Sequence, residues 1–230
     1  MCTACPSPGG GLFAQLDPAQ LAEIDRCRRI LTFRRGAVLF LEGTESAGVY
    51  CICSGRVKLS SMLPDGRKHI AGVAGPGEAL GVRAALARRA HDLTGELIED
   101  GEIGVIPKMD FLQFLRRHPG ICERLALLLS EELYLAYRKI RASALERVGE
   151  RLVDLLWTAA GARGEPLNGG IRVKLDLNQE EVAEMIGVSR RSISRVLAEL
   201  RRDGVIQCRR RSIVVLNCEE LFRRLPPRML

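Results

Sequence analysis

The chain has 230 residues, 47% of them hydrophobic and 27% charged. That is enough apolar material for one or two packed domains, and it excludes a disordered or collagen-like chain. No apolar run approaches the roughly 18 residues that span a bilayer, and no basic flank precedes an apolar stretch at the N-terminus, so a soluble, cytoplasmic protein without membrane contact is expected. The formal net charge of +7 is unevenly spread: residues 1–137 carry 16 basic and 16 acidic side chains, residues 138–230 carry 19 and 12. A neutral module joined to one that meets a polyanion would have this asymmetry.

Residues 1–11 read as an irregular arm, since Pro6, Pro8 and three glycines oppose helix and strand. Asp17 before Pro18 is an N-cap followed by a favoured first helical residue, with Leu21 and Ile24 on the apolar face of a short helix. From about Leu31 to Ile106 the punctuation becomes that of a β domain. Segments 37–41, 49–53, 57–62 and 103–106 are separated by glycines, and Pro64-Asp65-Gly66-Arg67 is a hairpin turn. Turns every eight to twelve residues imply an antiparallel barrel or sandwich, not βαβ units.

After Pro107 the period changes. Cys122, Ala126, Leu129, Leu133, Ala136 and Ile140 follow a 4-3-4-3-4 spacing, and Ile121, Leu125, Leu128 and Leu135 form a second stripe beside it. A helix with two apolar faces buries one in its own domain and offers the other to a partner, most simply a second copy of itself in a coiled-coil seam. The alternative is a long helix wholly inside one domain. A further helix is expected from Leu145 to about Ala160, broken by the segment 161–166, with a strand over 171–175.

Residues 177–203 carry the functional signal. Asn178 with Glu181 three residues on is a capping box, Gly187 permits the left-handed residue that ends a first helix, and Ser189 caps a second. In the second helix Ile193, Val196, Leu197 and Leu200 point inward, which leaves Arg190, Arg191, Ser192 and Arg195 outside near its start. This is a helix-turn-helix with donors where a recognition helix enters the major groove, and an arginine fork matches O6 and N7 of guanine. Asn178, Gln179 and Ser189 join the expected contact set. Arg201 and Arg202 are better placed for phosphates. Residues 204–216 read as a two-stranded wing whose Arg209, Arg210 and Arg211 would meet sugar–phosphate.

With these pieces the chain resembles the CRP/FNR family of bacterial transcription regulators over almost its whole length. The matching stretches are 33–40, Val49 to Lys58, Gly77 to Gly81 and, most specifically, Gly187-Val-Ser-Arg-Arg-Ser-Ile-Ser-Arg195. The resemblance implies an α+β chain: an arm (1–16), a cyclic-nucleotide-binding-type β-roll as sensor (17–117), a long dimerisation helix (118–144) and a C-terminal winged helix-turn-helix (145–230). It implies a homodimer on a near-palindromic DNA site, with RNA polymerase as a further partner.

Two departures qualify the resemblance. Many members place Glu after the first arginine of the recognition helix, where this chain has Arg191. Glu accepts from cytosine whereas Arg donates to guanine or phosphate, so the half-site should differ at that base pair. Cyclic-AMP-binding members have a Gly-Glu-Leu turn and an Arg-Ser or Arg-Thr pair on the phosphate. Here the first aligns with Gly81-Val82-Arg83 and the second falls at His91-Asp92, where Asp would repel phosphate. The effector pocket is therefore expected around Gly81, Val82, Arg83, Arg88 and His91, with cyclic AMP disfavoured.

The eight cysteines are too sparse for a disulfide scaffold and read as thiols. Cys2 and Cys5 form a Cys-x-x-Cys that resembles the start of the iron–sulfur loop in oxygen-sensing members and suits an iron–sulfur cluster or zinc. The third and fourth positions of that pattern fall at Gly11 and Gly104, so a cluster would have to recruit Cys27, Cys51, Cys53 or Cys122. The cofactor is left unknown, and the scattered His69, His91 and His118 do not favour haem. No Ser-His-Asp, His-Glu-x-x-His or Gly-x-x-x-x-Gly-Lys pattern supports an enzyme. The leading expectation is a DNA-binding regulator whose β-roll senses redox state, a gas or a small ligand. Its alternatives are a constitutive DNA binder, a redox- or metal-active protein with a basic module, and a module whose helix-turn-helix contacts protein.

Overall fold

The computed structural model describes residues 11–13, 16–145, 147–167, 170–175, 177–209 and 212–225. Helix α1 (Pro18–Cys27) opens where Pro18 fixes the first φ. The Asp17 carboxylate accepts from the Ala19 and Gln20 amides, and the Gln20 side chain accepts from the Asp17 amide, closing a capping box. Strands β1 (Arg29–Phe33), β2 (Val38–Phe40), β3 (Gly48–Ile52), β4 (Val57–Met62), β5 (Lys68–Ala74) and β6 (Ala79–Leu80) follow. Then come helix α2 (Val82–Ala87) and strands β7 (Thr94–Leu97) and β8 (Gly101–Pro107). They form two antiparallel four-stranded sheets, β1-β8-β3-β6 and β2-β7-β4-β5. The expected hairpin at 64–67 joins β4 to β5: the Leu63 amide donates to the Arg67 carbonyl at 2.8 Å, and the Asp65 carboxylate accepts the Arg67 amide.

All five residues of β3 are buried, so it reads as a continuous apolar run rather than an alternating one. Its two faces serve two cores. Tyr50 and Ile52 join Phe40, Val57, Leu97 and Ile103 between the sheets. Val49 and Cys51 face outward, with Ile106, toward Ile24 of α1 and toward α3 (Lys108–Arg117) and α4 (Pro119–Leu145) through Phe111, Phe114, Ile121 and Leu125.

The second stripe of α4 is thus partly consumed: Ile121 and Leu125 are buried, and Leu128 is half-buried against the same core. Cys122, Ala126, Leu133, Ala136 and Ile140 of the first stripe are exposed, Leu133 at 56% and Ile140 at 65%, while Leu129 packs in part on the core.

Two compact units divide within α4, Met1–Tyr134 and Leu135–Leu230. In the second, helix α5 (Val148–Arg163) begins and ends later than the sequence pattern implies. Leu145 belongs to α4, and Arg147 is the N-cap of α5, its amide held by the Glu150 carboxylate at 2.7 Å. Gly161 remains helical. The helix stops at Gly164, where a Cβ would lie 2.3 Å from the Ala160 carbonyl oxygen. Residues expected as an irregular break form strand β9 (Gly164–Leu167), paired with β10 (Gly170–Lys174). Pro166 is tolerated there because β9 is an edge strand.

Helices α6 (Gln179–Ile186) and α7 (Arg190–Arg202), strands β11 (Ile206–Arg209) and β12 (Ser212–Val215), and helix α8 (Cys218–Arg223) complete the unit, with sheet order β11-β12-β10-β9. Among the described residues no helix is long and apolar enough to cross a membrane.

Candidate nucleic-acid interface

The helix-turn-helix forms as its caps dictate. The Asn178 carbonyl oxygen of the side chain accepts from the Glu180 and Glu181 amides, and the Glu181 carboxylate accepts the Asn178 amide at 2.9 Å. Gly187 sits at φ 70° in the left-handed region and ends α6. Ser189 Oγ accepts the Ser192 amide and lies 2.9 Å from Ser192 Oγ. Ile193, Val196, Leu197 and Leu200 are buried, each contributing about 1.5–3 kcal/mol through removal from water.

The opposite face of α7 is left to solvent. Arg190, Arg191 and Arg195 are exposed, and none makes an ion pair to a described residue; Ser192 is half-buried. Gln179 is positioned on α6 by Ser194, whose hydroxyl donates to its Oε1 at 3.2 Å. A groove of about 390 Å³ separates the start of α6, the start of α7 and the wing, with Asn178, Gln179, Arg190, Cys208 and Arg209 on its walls. The structure therefore gathers Asn178, Gln179, Arg190 and Arg209. Arg191 and Arg195, one helical turn apart, lie along the exposed face. Arg210 and Arg211 lie outside the described residues, as do Cys2 and Cys5. At the far end of α7, Arg224 bonds Asp203 and Glu220, each at 2.9 Å, and ties α7 to α8.

Two contributors carry no clear mark in the sequence. Arg151 of α5 donates to the Ile186 carbonyl at 2.8 Å and fixes the end of α6. Arg147, with no acceptor in its side chain to cap α5, leaves that helix start open beside Arg195, in a groove of about 620 Å³ that also carries Glu150, Glu199 and Arg224. The only sequence signal is the missing Ser, Thr, Asp or Asn at the cap.

In the first unit the five expected pocket residues do not all converge. Gly81, at φ 77°, ends β6 and opens α2. Val82 is buried, and Arg88 caps the other end of α2 in an exposed left-handed conformation at φ 51°. His91 is 4% exposed and stacks on Phe40 at 4.3 Å between ring centroids, with Tyr50 at 6.4 Å. Burial holds its imidazole below the ordinary value, opposed by the charge of Asp92. Arg83 is engaged: it pairs with Asp92 at 3.0 Å and with Glu132 of α4 at 3.8 Å. Gly81 and His91 are brought together, because a Cβ on Gly81 would lie 3.3 Å from His91 Cε1. Arg88 stands apart.

Of the cysteines that a cluster would recruit, Cys27, Cys51 and Cys53 do not fit an iron–sulfur cluster, while Cys122 is exposed on α4. Cys51 and Cys53 are buried, and Cys27 donates to the Ile24 and Glu23 carbonyls, with burial raising its thiol pKa. A Cβ on Gly104 would come 2.7 Å from Arg28 Cδ, so arginine occupies the place from which the fourth ligand of that pattern would project. Among the described residues no three His, Cys, Asp or Glu side chains are placed to hold a metal.

A domain of two β-sheets, a long helix and a winged helix-turn-helix define a DNA-binding transcription regulator. The model of the cyclic nucleotide-binding domain matches residues 30–118, and that of the Crp-like helix-turn-helix domain residues 146–224. The chain is 26% identical over 214 residues to a CRP-like cAMP-activated global transcriptional regulator of Mycobacterium tuberculosis, covering 93% of this chain and 96% of that one. It is 27% identical over 209 residues to the nitrogen fixation regulation protein FixK of Bradyrhizobium diazoefficiens, covering 89% and 85%. Its fold matches the structure of FixK2 from Bradyrhizobium japonicum with a TM-score of 0.76 at 20% identity, covering 86% and 98%. The chain is a member of the CRP/FNR family of transcription regulators.

Proposed function

We propose that this chain works in the cytoplasm as a homodimeric, sequence-specific regulator on a near-palindromic DNA site, reading one half-site with each α7. It acts by binding rather than catalysis, with RNA polymerase as a downstream partner. The observation that carries the reading is the exposed cationic row Arg190, Arg191 and Arg195 on a helix whose other face is fully buried. The exposed Leu133–Ile140 stretch of α4 supports the dimer, since water-exposed apolar residues at a 4-3 spacing are what a coiled-coil seam needs.

The β-roll serves as sensor for a signal other than cyclic AMP: by the family resemblance Asp92 falls where the phosphate-binding pair would be, and it pairs with Arg83 at 3.0 Å. That same self-satisfied pair favours a second reading, binding to DNA without any small effector. An iron–sulfur cluster on Cys2 and Cys5 would need two further ligands, and Arg28 fills the space over Gly104 where the family pattern would put the fourth.

The test is fluorescence anisotropy with a palindromic duplex and a single half-site across a salt series. Steep salt dependence, with much tighter binding to the palindrome, is expected. Equal affinity for unrelated DNA would overturn the reading. Leu133→Glu with Ile140→Glu should give monomers by sedimentation and abolish the palindrome advantage.

A further inference from the structure

His91 is the one histidine of the chain's three that is fully enclosed. Its backbone is fixed on both sides, the amide donating to the Thr44 carbonyl at 2.8 Å and the carbonyl accepting the Gly43 amide at 2.8 Å. Its ring stacks on Phe40, which packs in turn on Tyr50 at 5.2 Å, yet Nε2 is buried without a hydrogen-bond partner among the described residues. The space over Gly81 beside it is filled: a Cβ there would meet the Gly48 carbonyl oxygen at 2.9 Å, His91 at 3.3 Å and Tyr50 at 3.4 Å. A site closed on its own side chains suits a group that must leave better than a ligand that must enter.

We infer that His91 is a proton-operated latch: neutral, it seals the cassette 81–92 against the β-roll, and protonated, it leaves its stack on Phe40 and loosens the link from Asp92 through Arg83 to Glu132 of α4. This rests on the proposed role of the sensor unit and names its regulation. An imidazolium needs a hydrogen-bond acceptor at each nitrogen, and the buried Nε2 meets none among the described residues.

The surrounding charges do not substitute. Strand β2 brings Phe40 and no charge, and Glu42 beyond it is occupied by the Met62 amide while its own amide donates to Thr94. From β3 comes Tyr50, whose phenol burial keeps neutral. The cassette brings Arg83, paired to Asp92, and the exposed Arg88 and Arg89, which repel a cation. Glu45, bridged through its backbone to Ala90, is exposed. Asp92 alone favours the charged form, and burial outweighs it.

The sign follows from linkage. The open form takes up a proton near the ordinary imidazole value, about 6.5, and the closed form only below it, so the closed fraction falls by at most about tenfold per pH unit between the two. Acidification therefore opens the cassette.

The test uses the full chain with ring-labelled histidine, whose three resonances are assigned by His69→Gln, His118→Gln and His91→Phe. The His91 ring should titrate below the free value. Protection of the 43 and 91 amides from hydrogen exchange, corrected for intrinsic rates, should fall between about pH 7.5 and 5.5 in the wild type and stay level in His91→Phe, which keeps the stacking and cannot titrate. DNA affinity should weaken by roughly three- to tenfold over that range beyond any change in the variant. A His91 ring that titrates at or above the free value overturns the latch even if His91→Phe fails to fold, and so does an equal loss of protection in the variant. If the protein binds no DNA at any pH, the regulator reading fails, while the ring titration and exchange still decide the latch.

Discussion

The guanidinium of Arg83 lies 3.0 Å from the carboxylate of Asp92, and both groups are more than half exposed. An exposed pair of this kind contributes little stability, about 0–1 kcal/mol, so its weight is electrostatic: the carboxylate offsets the Arg83 charge that an anionic ligand would otherwise meet. Calorimetry with cyclic AMP is therefore expected to show no binding in the micromolar range. Asp92→Ser should raise affinity for anionic ligands by removing that carboxylate. A micromolar affinity of the wild type for cyclic AMP would overturn this account of the cassette.

Arg190 and Arg201 stand at opposite ends of α7 and should fail differently. Arg190→Ala removes a fork from the groove beside Gln179, and specific binding should weaken by about 1–3 kcal/mol, roughly five- to 150-fold, with less change on random DNA. Arg201→Ala should weaken both alike and lower the salt slope by about one. Competition anisotropy with specific and random duplexes separates the two patterns.

Arg191 is exposed one residue into α7, where many family members have glutamate. A donor there reads guanine or phosphate and cannot accept from cytosine N4. Selection from random DNA should return a half-site that differs from the usual family sequence at that one base pair, and Arg191→Glu should shift it back. Recovery of the usual half-site by the wild type would refute the assignment.

How much of the molecule can be read from its residues depends on which physical signals are local. Asn178, Glu181, Gly187 and Ser189 fix their own backbone through bonds within four residues, so the helix-turn-helix is legible in the order of amino acids alone. The same holds for Asp17 with Gln20 and for the 64–67 turn. Strand β1 carries no such signal: Arg29, Ile30, Leu31 and Thr32 are all exposed, and the strand exists because β8 pairs with it over five residues. Strand β9 is hidden by Gly164 and Pro166, and only pairing with β10 makes it a strand. The Arg83–Asp92–Glu132 link joins residues 49 positions apart at its extremes and needs the fold to exist.

The arm cysteines offer a sharp test of cofactor content. Arg28 fills the space over Gly104, and Cys27, Cys51 and Cys53 are engaged or buried within cores. Protein purified without oxygen is expected to carry substoichiometric iron and sulfide and no broad cluster absorbance at about 400 nm. Stoichiometric iron and sulfide, lost in Cys2→Ser and Cys5→Ser, would restore the iron–sulfur sensor.

The carboxylate of Glu23 joins α1 to the junction of α3 and α4, bonded by His118 Nε2 at 2.9 Å and by Arg117 at 2.9 Å. The bond from His118, then that from Arg117, holds its pKa below the usual carboxylate range. A carboxylate depressed in the folded state stabilises it above the ordinary value, about 4.3, and that contribution disappears as pH falls through the folded value. Glu23→Gln should therefore melt lower than the wild type near neutral pH, and the gap should close steadily on acidification below about pH 5. Thermal unfolding of both proteins across that range measures it. A gap that stays constant would mean that packing of the side chain, not its charge, holds the junction.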